Sequence, residues 1–316
     1  MLRRLAAVIV CILIVALPLT SCKEKEPMDV WDEEVSASAG YRRTVLYYVT
    51  DDGFMVPIMK LLPWEEGIGR AAVSQLIGTE VNKSAASRMG LNTVLPEGVE
   101  LHLRINDEGT ATLDIANLPE LESASEEHSM VTAIACTLLE FLTISSVRFT
   151  FDGERLNKLP HGTKVSGEIT DASLNVEPGT VNVSAESTYR MTLYFPNSSA
   201  SLNIPVTRYT TEMPTVESAV KELILGPIHE GLLECFPDET MLLGVDIVDT
   251  TATVNVSREF LAVEDSPGTA EAAYEALFLT INELQEITDL RLQVEGDDYE
   301  FGSRPVSAPM YPNEFR

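Results

Sequence analysis

Residues 72–77 read Ala-Val-Ser-Gln-Leu-Ile, and residues 219–224 read Ala-Val-Lys-Glu-Leu-Ile. The apolar residues of both stretches fall on one face of a helix. The flanking motifs also recur in the same order, about 141–148 residues apart: Leu46-Tyr47-Tyr48 returns as Leu193-Tyr194-Phe195, and Ala111-Thr112-Leu113-Asp114-Ile115 as Ala252-Thr253-Val254-Asn255-Val256. A period this long indicates a duplicated domain, because solenoid units span only roughly 20–50 residues.

Each copy contains the same series of secondary-structure signals. A strand and a second short extended piece precede the helix just quoted, and an alternating hairpin, a longer helix and a last strand follow it. We therefore predict an α+β fold of two tandem β(β)αββαβ domains, each a small sheet with two helices packed on one face. The predicted domains are residues 41–170 and 189–316. Residues 171–188 are predicted to be a linker, in which Val181-Asn182-Val183 could instead form an edge strand.

The N-terminus predicts export. Residues 1–21 carry Arg3-Arg4, an apolar run and small residues, which is typical of a secretory signal peptide. Leu19-Thr20-Ser21-Cys22 resembles the bacterial lipobox, which implies that Cys22 is lipidated and anchors the protein to the outer face of the cell membrane. The alternative is a cleaved signal with an incidental cysteine. Residues 22–40 are acidic and are predicted to be a disordered tether. Trp31 within it is a candidate docking point for a partner, or an incidental aromatic residue.

The charge and the motifs limit the function. A formal net charge of −27 argues against nucleic acid as a partner, because phosphate binding needs a Lys/Arg surface. The four histidines do not recur between copies, and we identify no catalytic residue, no metal site and no cofactor. Asp114 becomes Asn255 in the second copy, which argues against a shared catalytic carboxylate. We therefore expect a protein that is not an enzyme.

Two pairs of charged residues do recur. Glu140 and Glu283 occupy equivalent positions off the apolar stripe, so we expect a solvated face or a local ion pair. Arg148 and Arg291 occupy equivalent positions on the last strand and point away from its buried face. For these arginines we expect a cross-strand ion pair first and partner binding second.

Several motifs in the second copy carry a family resemblance. Residues 191–197, Arg208, and residues 220–227, 236–240 and 252–260 resemble the GerM-type (GerMN) domain of sporulation and germination lipoproteins. The resemblance covers roughly residues 43–170 and 189–310. It implies a lipoprotein with two tandem domains that is similar in fold to ring-building motifs, and it carries over no catalytic residue. Arg208 within this pattern is a further candidate partner-binding residue.

The resemblance leads to our functional hypotheses. The leading one is a membrane-anchored, non-enzymatic lipoprotein that helps to assemble an envelope complex, such as the channel between mother cell and forespore, and that could form a homo-oligomer. The alternative is an extracytoplasmic ligand- or peptidoglycan-binding lipoprotein with a pocket between its two domains. The third is a cell-surface hydrolase, which would need a carboxylate pair in a cleft.

Overall fold

The computed structural model describes residues 40–178, 188–265, 268–301 and 306–315. The predicted signal peptide, nearly all of the predicted tether, Cys22 and Trp31 lie outside the described residues. The same holds for the alternative edge strand at 181–183. Within the described ranges, no helix is long and apolar enough to cross a membrane.

The two domains are built from the predicted series of elements. The first contains β1 (Tyr41–Thr50), β2 (Met55–Pro63), α1 (Ile68–Ser74), α2 (Glu80–Ser87), β3 (Leu91–Asn92), β4 (Glu100–Ile105), β5 (Thr110–Ala116), α3 (Ala124–Leu139) and β6 (Ser146–Phe151). The second contains β7 (Tyr189–Pro196), β8 (Asn203–Thr210), α4 (Val216–Ile224), β9 (Leu242–Val248), β10 (Thr251–Val256), a 3-10 helix (Arg258–Asp265), α5 (Thr269–Asn282), β11 (Asp289–Val294) and β12 (Asp297–Asp298). The predicted α+β class is confirmed, with α2, β3, the 3-10 helix and β12 as additions.

The sheet that contains the central hairpin has the same pairing in each domain. β5 pairs with β4 antiparallel and with β6 parallel, and β10 pairs in the same way with β9 and β11. Alternate residues of β5, among them Leu113 and Ile115, are fully buried. The alternation therefore predicted the antiparallel hairpin correctly, because one face of the sheet packs on the helices.

The opening hairpins form separate sheets, β2-β1-β3 and β7-β8. Because a proline has no N–H, Tyr47 and Pro57 form a non-hydrogen-bonded pair, in which the main-chain groups of Tyr47 face away from β2. The Tyr47 N–H instead donates to Thr137 Oγ1 on α3 at 3.0 Å. In the second domain Tyr194 pairs with Pro205, and its N–H donates to Thr280 Oγ1 at 3.1 Å. A helix hydroxyl therefore takes the place of a neighbouring strand here.

The first helix is shorter than its apolar stripe. α1 ends at Ser74, but Leu76 remains fully buried because residues 75–77 continue in tighter turns with i→i−3 bonds. The Leu76 carbonyl then accepts from the N–H groups of Val94 and Leu95. α2 follows after Thr79, whose hydroxyl caps it, and buries only Ala86. Because α2 buries so little surface, it has no apolar periodicity from which the sequence could predict it.

Candidate functional site at the domain boundary

The segment after each domain pairs with the hairpin of the other domain. After domain 1, the Leu174 carbonyl accepts from Thr207 N–H (2.9 Å), so this segment runs alongside β8. After domain 2, the Asn313 carbonyl accepts from Met59 N–H (2.8 Å), and the tail runs alongside β2. Both pairings are parallel. The first part of the predicted linker is therefore docked on domain 2, and the buried apolar side chains of the two domains form one continuous cluster.

Two asparagines bridge the domains at this crossing. Asn175 Oδ1 accepts from Met55 N–H (2.8 Å), and its Nδ2 donates to the carbonyls of Met55 (2.7 Å) and Pro205 (2.6 Å). Asn313 Oδ1 accepts from Asn203 N–H (2.7 Å), and its Nδ2 donates to the carbonyls of Asn203 (2.8 Å) and Pro57 (3.1 Å). Each asparagine thus bonds one residue of one domain twice and a proline of the other domain once.

Arg208 lies inside this crossing. Its side chain is almost fully buried; Nε donates to Glu177 Oε2 at 2.6 Å and Nη1 to Glu222 Oε2 at 2.7 Å. Nη2 donates to the Gly226 carbonyl at 2.9 Å. Glu177 belongs to the segment after domain 1, so this ion pair fastens that segment to domain 2. The charge of Arg208 is satisfied within the molecule, and we therefore assign it a structural role and leave it out of the proposed partner surface.

Lys60 occupies the position of Arg208 in the first domain. Its Nζ donates to Gln75 Oε1 at 2.8 Å and lies 4.7 Å from the ring centroid of Phe315 in the C-terminal tail. Burial lowers the pKa of Lys60. Each domain therefore uses a cation on its second strand to hold the tail of the other, by an ion pair in one case and a cation–π contact in the other.

Two tyrosine–glutamate pairs face the groove between the domains. Tyr47 donates its phenol O–H to Glu140 Oε1 at 2.7 Å, and Tyr194 donates its own to Glu283 Oε1 at 2.7 Å. Burial raises the pKa of Glu140, the bond from Tyr47 opposes that change, and the Glu283 carboxylate adds to it. Burial first, and the carboxylates second, raise the pKa of both phenols. We expected a solvated face or a local ion pair for the glutamates, and both residues are exposed at the groove. Neither forms a salt bridge within the described ranges.

The groove has a volume of about 550 Å³ and contains residues of both domains. The tyrosine–glutamate pairs lie on its wall together with Arg42, whose guanidinium lies 5.7 Å from the Trp64 ring centroid and 5.2 Å from that of Phe141. The C-terminal tail contributes residues 309–312. This is the pocket between the domains that the ligand-binding hypothesis requires, with polar groups from both copies.

The recurring arginines of the last strands differ in their surroundings. Arg148 forms an ion pair with Glu168, which also accepts from Ser146 Oγ at 2.8 Å. The predicted ion pair is thus present in the first domain, although Glu168 lies in the chain that follows β6 and bridges back to it. Arg291 is exposed and forms no salt bridge among the residues that the structure describes. Its partner-binding role stays a prediction.

Asp114 and Asn255 share a structural role. Asp114 Oδ1 accepts from Gly153 N–H and Asn255 Oδ1 from Gly296 N–H, both at 2.9 Å. The bond closes the turn after the last strand, where Asp152-Gly153 and Glu295-Gly296 both have positive φ. The turn needs an oxygen acceptor and no charge, which explains how an amide can replace the carboxylate. In the described part of the chain, no group of three or more His, Cys, Asp or Glu residues could hold a metal ion.

Comparison with known proteins identifies the family. A family model named Germane, described as "Sporulation and spore germination", matches residues 45–157 and 192–300. The chain belongs to the Germane family. The matches fall on the two domains of the structure, so the resemblance stated from the sequence motifs is confirmed.

A curated relative and a solved structure extend the Germane assignment. The chain is 25% identical over 307 residues to the spore germination protein GerM of Bacillus subtilis (strain 168), covering 92% of this chain and 82% of that protein. It is also similar to the solved tandem GerMN domains of the sporulation protein GerM from Bacillus subtilis. That similarity has a TM-score of 0.69 at 24% identity and covers 87% of this chain and 100% of the other. The structural likeness supports the fold of two tandem Germane domains.

The sequence reasoning missed the polar groups that join the two Germane domains. A usable signal existed for the tyrosine–glutamate pairs, because all four residues occupy equivalent positions in the two copies. No such signal existed for Asn175 and Asn313, which lie outside the repeated motifs and bond residues more than a hundred positions away.

Proposed function

We propose that this protein is a non-enzymatic lipoprotein, anchored through Cys22 to the outer face of the cell membrane, that helps to assemble an envelope complex during sporulation or germination. The observation that carries the proposal is the similarity to GerM along both domains. The crossed tails support it, because they hold two domain surfaces in a defined relation, as a scaffold requires. Arg291 and Trp31 are the proposed partner-binding residues, and channel components of the envelope are the proposed partners.

A genetic experiment tests the assembly role. Deletion of the gene in its spore-forming host should lower spore yield or germination, and the intact gene should restore it. A Cys22→Ala chain should appear in the soluble fraction after lysis and should rescue poorly, since it has no lipid anchor. Cys136→Ala is the matched control, because Cys136 is a buried thiol in α3 and should leave the protein in the membrane fraction. An undiminished spore count after deletion would overturn the sporulation role.

The groove between the domains favours a second candidate function, the binding of a small extracytoplasmic ligand such as a peptidoglycan fragment. Its volume and its lining by both domains are typical of ligand sites. Thermal-shift measurements with defined wall fragments test this function. A fragment should raise the melting temperature of the wild-type protein and have a smaller effect on a Glu140→Gln/Glu283→Gln variant. The absence of a shift with every fragment would count against this candidate.

A further inference from the structure

β4 and β9, the outer strands of the sheets β4-β5-β6 and β12-β11-β10-β9, carry different residues. β4 exposes three polar residues, Glu100, His102 and Arg104, and one apolar residue, Ile105 (48%). The chain at β9 exposes three apolar residues, Met241 (60%), Leu243 (47%) and Val248 (62%), and one charged residue, Asp246. Glu100 pairs with Ala116 at the end of β5, and the Met241 carbonyl accepts from the N–H of Ser257, which follows β10. Met241 is therefore the equivalent of Glu100. The same fold therefore accepts a charge at this position, and folding does not require the apolar residue.

β9 is also an open edge. It is the last strand of the sheet β12-β11-β10-β9, and no described strand pairs with its outer side. A bulge occurs at its start, next to Leu243, and the remainder pairs regularly with β10. Natural proteins usually protect such edges with charged side chains, proline or bulges. Glu100, His102 and Arg104 provide that protection on β4. β9 has the bulge at its start and Asp246 as its one charged residue, so the regular part of its edge is less protected.

An acidic hollow adjoins the start of β9. It has a volume of about 470 Å³, and both Leu225, which is 75% exposed, and Met241 lie on its wall. The lining also contains four acidic residues and no Lys or Arg; the acidic residues are Glu234, Asp238, Glu239 and Glu259. A side-chain hydrogen bond with Ser257 lowers the pKa of Glu259. In domain 1, α2 follows α1, which is the equivalent of α4. In domain 2 the described chain has no helix at residues 226–240, after α4.

From this edge and this hollow we propose that domain 2 binds an extended segment of a partner protein that adds as a strand to β9. The segment would place apolar side chains on Leu225, Met241 and Leu243 and Lys or Arg side chains against the acidic hollow. An anionic lipid surface and a second copy of this chain fit less well, because each would bring negative charge to negative charge. The inference rests on the assembly function proposed above and supplies its contact surface.

Peptide binding tests the surface directly. The full-length protein in detergent is titrated against a fluorescent peptide of about ten residues that alternates valine and lysine, long enough for one strand. Two comparison peptides replace lysine by glutamate or introduce central prolines, which remove strand hydrogen bonds. We expect anisotropy to report binding of the lysine peptide only, with an affinity that falls as salt rises. Equal binding of the proline peptide would overturn strand addition.

A matched variant locates the binding. The double variant Met241→Glu/Val248→Asn replaces two residues of domain 2 by their equivalents in domain 1, Glu100 and Asn106. His102→Gln on β4 is the control. The first variant should weaken the lysine peptide at least about tenfold, and the control should not. All three positions are exposed, and an unchanged unfolding midpoint verifies the fold. Unchanged peptide affinity in the first variant would overturn the proposal.

Complementation separates this inference from the proposed function. If deletion lowers spore yield or germination but the Met241→Glu/Val248→Asn chain restores it fully, the docking surface is refuted and the assembly function stands. If deletion has no effect, the assembly function itself fails. A dimer in sedimentation that the variant abolishes would contradict the partner segment and assign the edge to self-association.

Discussion

Asn175 and Asn313 make the same three hydrogen bonds in opposite directions across the domain boundary. Each asparagine bonds the N–H and the carbonyl of one residue, Met55 on β2 or Asn203 on β8. Each also donates to the carbonyl of a proline on the other of these two strands. Each asparagine comes from the chain that follows a domain. The duplication therefore produced two copies of a module and, in addition, an exchange of tails that joins them.

Replacing Asn313 by alanine should destabilise the whole protein. Asn313 is buried, and its loss leaves the Asn203 N–H and two carbonyls without their partner. We expect the free energy of unfolding to fall by about 2–4 kcal/mol, measured by chemical denaturation. Asn157→Ala is the control, because the exposed Asn157 side chain makes no hydrogen bond in the described ranges. Equal effects of the two substitutions would show that the bridge contributes nothing.

The ion pair between Arg208 and Glu177 should behave as a coupled unit. Arg208→Met removes the ion pair of the buried Glu177 carboxylate and should cost about 3–5 kcal/mol of unfolding free energy. Combining it with Glu177→Gln should recover part of that loss, since the amide carries no charge. A double-mutant cycle by urea denaturation measures the coupling. Arg291→Met, at an exposed arginine, should change the stability by less than about 0.5 kcal/mol. Additive effects in the cycle would contradict the coupling.

The threonine hydroxyls that replace a neighbouring strand are open to an isosteric test. Thr280→Val keeps the shape of a fully buried side chain but removes the acceptor of the Tyr194 N–H. We expect a loss of about 1–3 kcal/mol in unfolding free energy. Thr137→Val should have a similar effect through Tyr47, and the exposed Thr143→Val should have almost none. A neutral result for both buried positions would mean that water replaces the hydroxyl.

The stability should depend on pH through Glu140. Burial first, and the Glu283 carboxylate next, raise its pKa above the ordinary value of 4.5. A raised folded-state pKa gives a contribution to stability that is complete below the unfolded value and is lost as pH rises through the folded value. Glu140→Gln cannot titrate, so its unfolding free energy relative to the wild type should increase from about pH 4.5 upward.

Guanidinium denaturation of both proteins across a pH series measures that difference. Glu66→Gln, in an exposed loop, is the control and should show a difference from the wild type that does not change with pH. A flat difference for Glu140→Gln as well would mean that its carboxylate is fully solvated in the folded protein.

Much of each domain could be predicted because its signals are local. The stripe of α4, with Ala219, Val220 and Leu223 buried, and the alternation of β5 each follow from a few neighbouring residues. α2 and the early end of α1 could not be predicted in this way. There the chain satisfies its main-chain groups with Val94 and Leu95, which no periodic pattern connects to the helix.

The candidate site was predictable only in outline. The position of Glu140 off the apolar stripe is correct, yet its environment depends on the second domain, which closes the groove and brings Glu283 near. The sequence predicted Arg208 as a candidate partner-binding residue. In the folded protein its guanidinium instead contacts Glu177 and Glu222, which lie 31 and 14 positions away along the chain.

The sequence alone determined the duplication, the α+β order of elements and the family, because these depend on residue types at short spacings and on a repeat. The tertiary structure decided how the two copies join. The crossed tails, the asparagine bridges, the tyrosine–glutamate pairs and the open edge of β9 all arise from contacts between distant segments. Such contacts depend on which main-chain groups remain unpaired after each domain has folded, and that is known only once the chain is arranged in space.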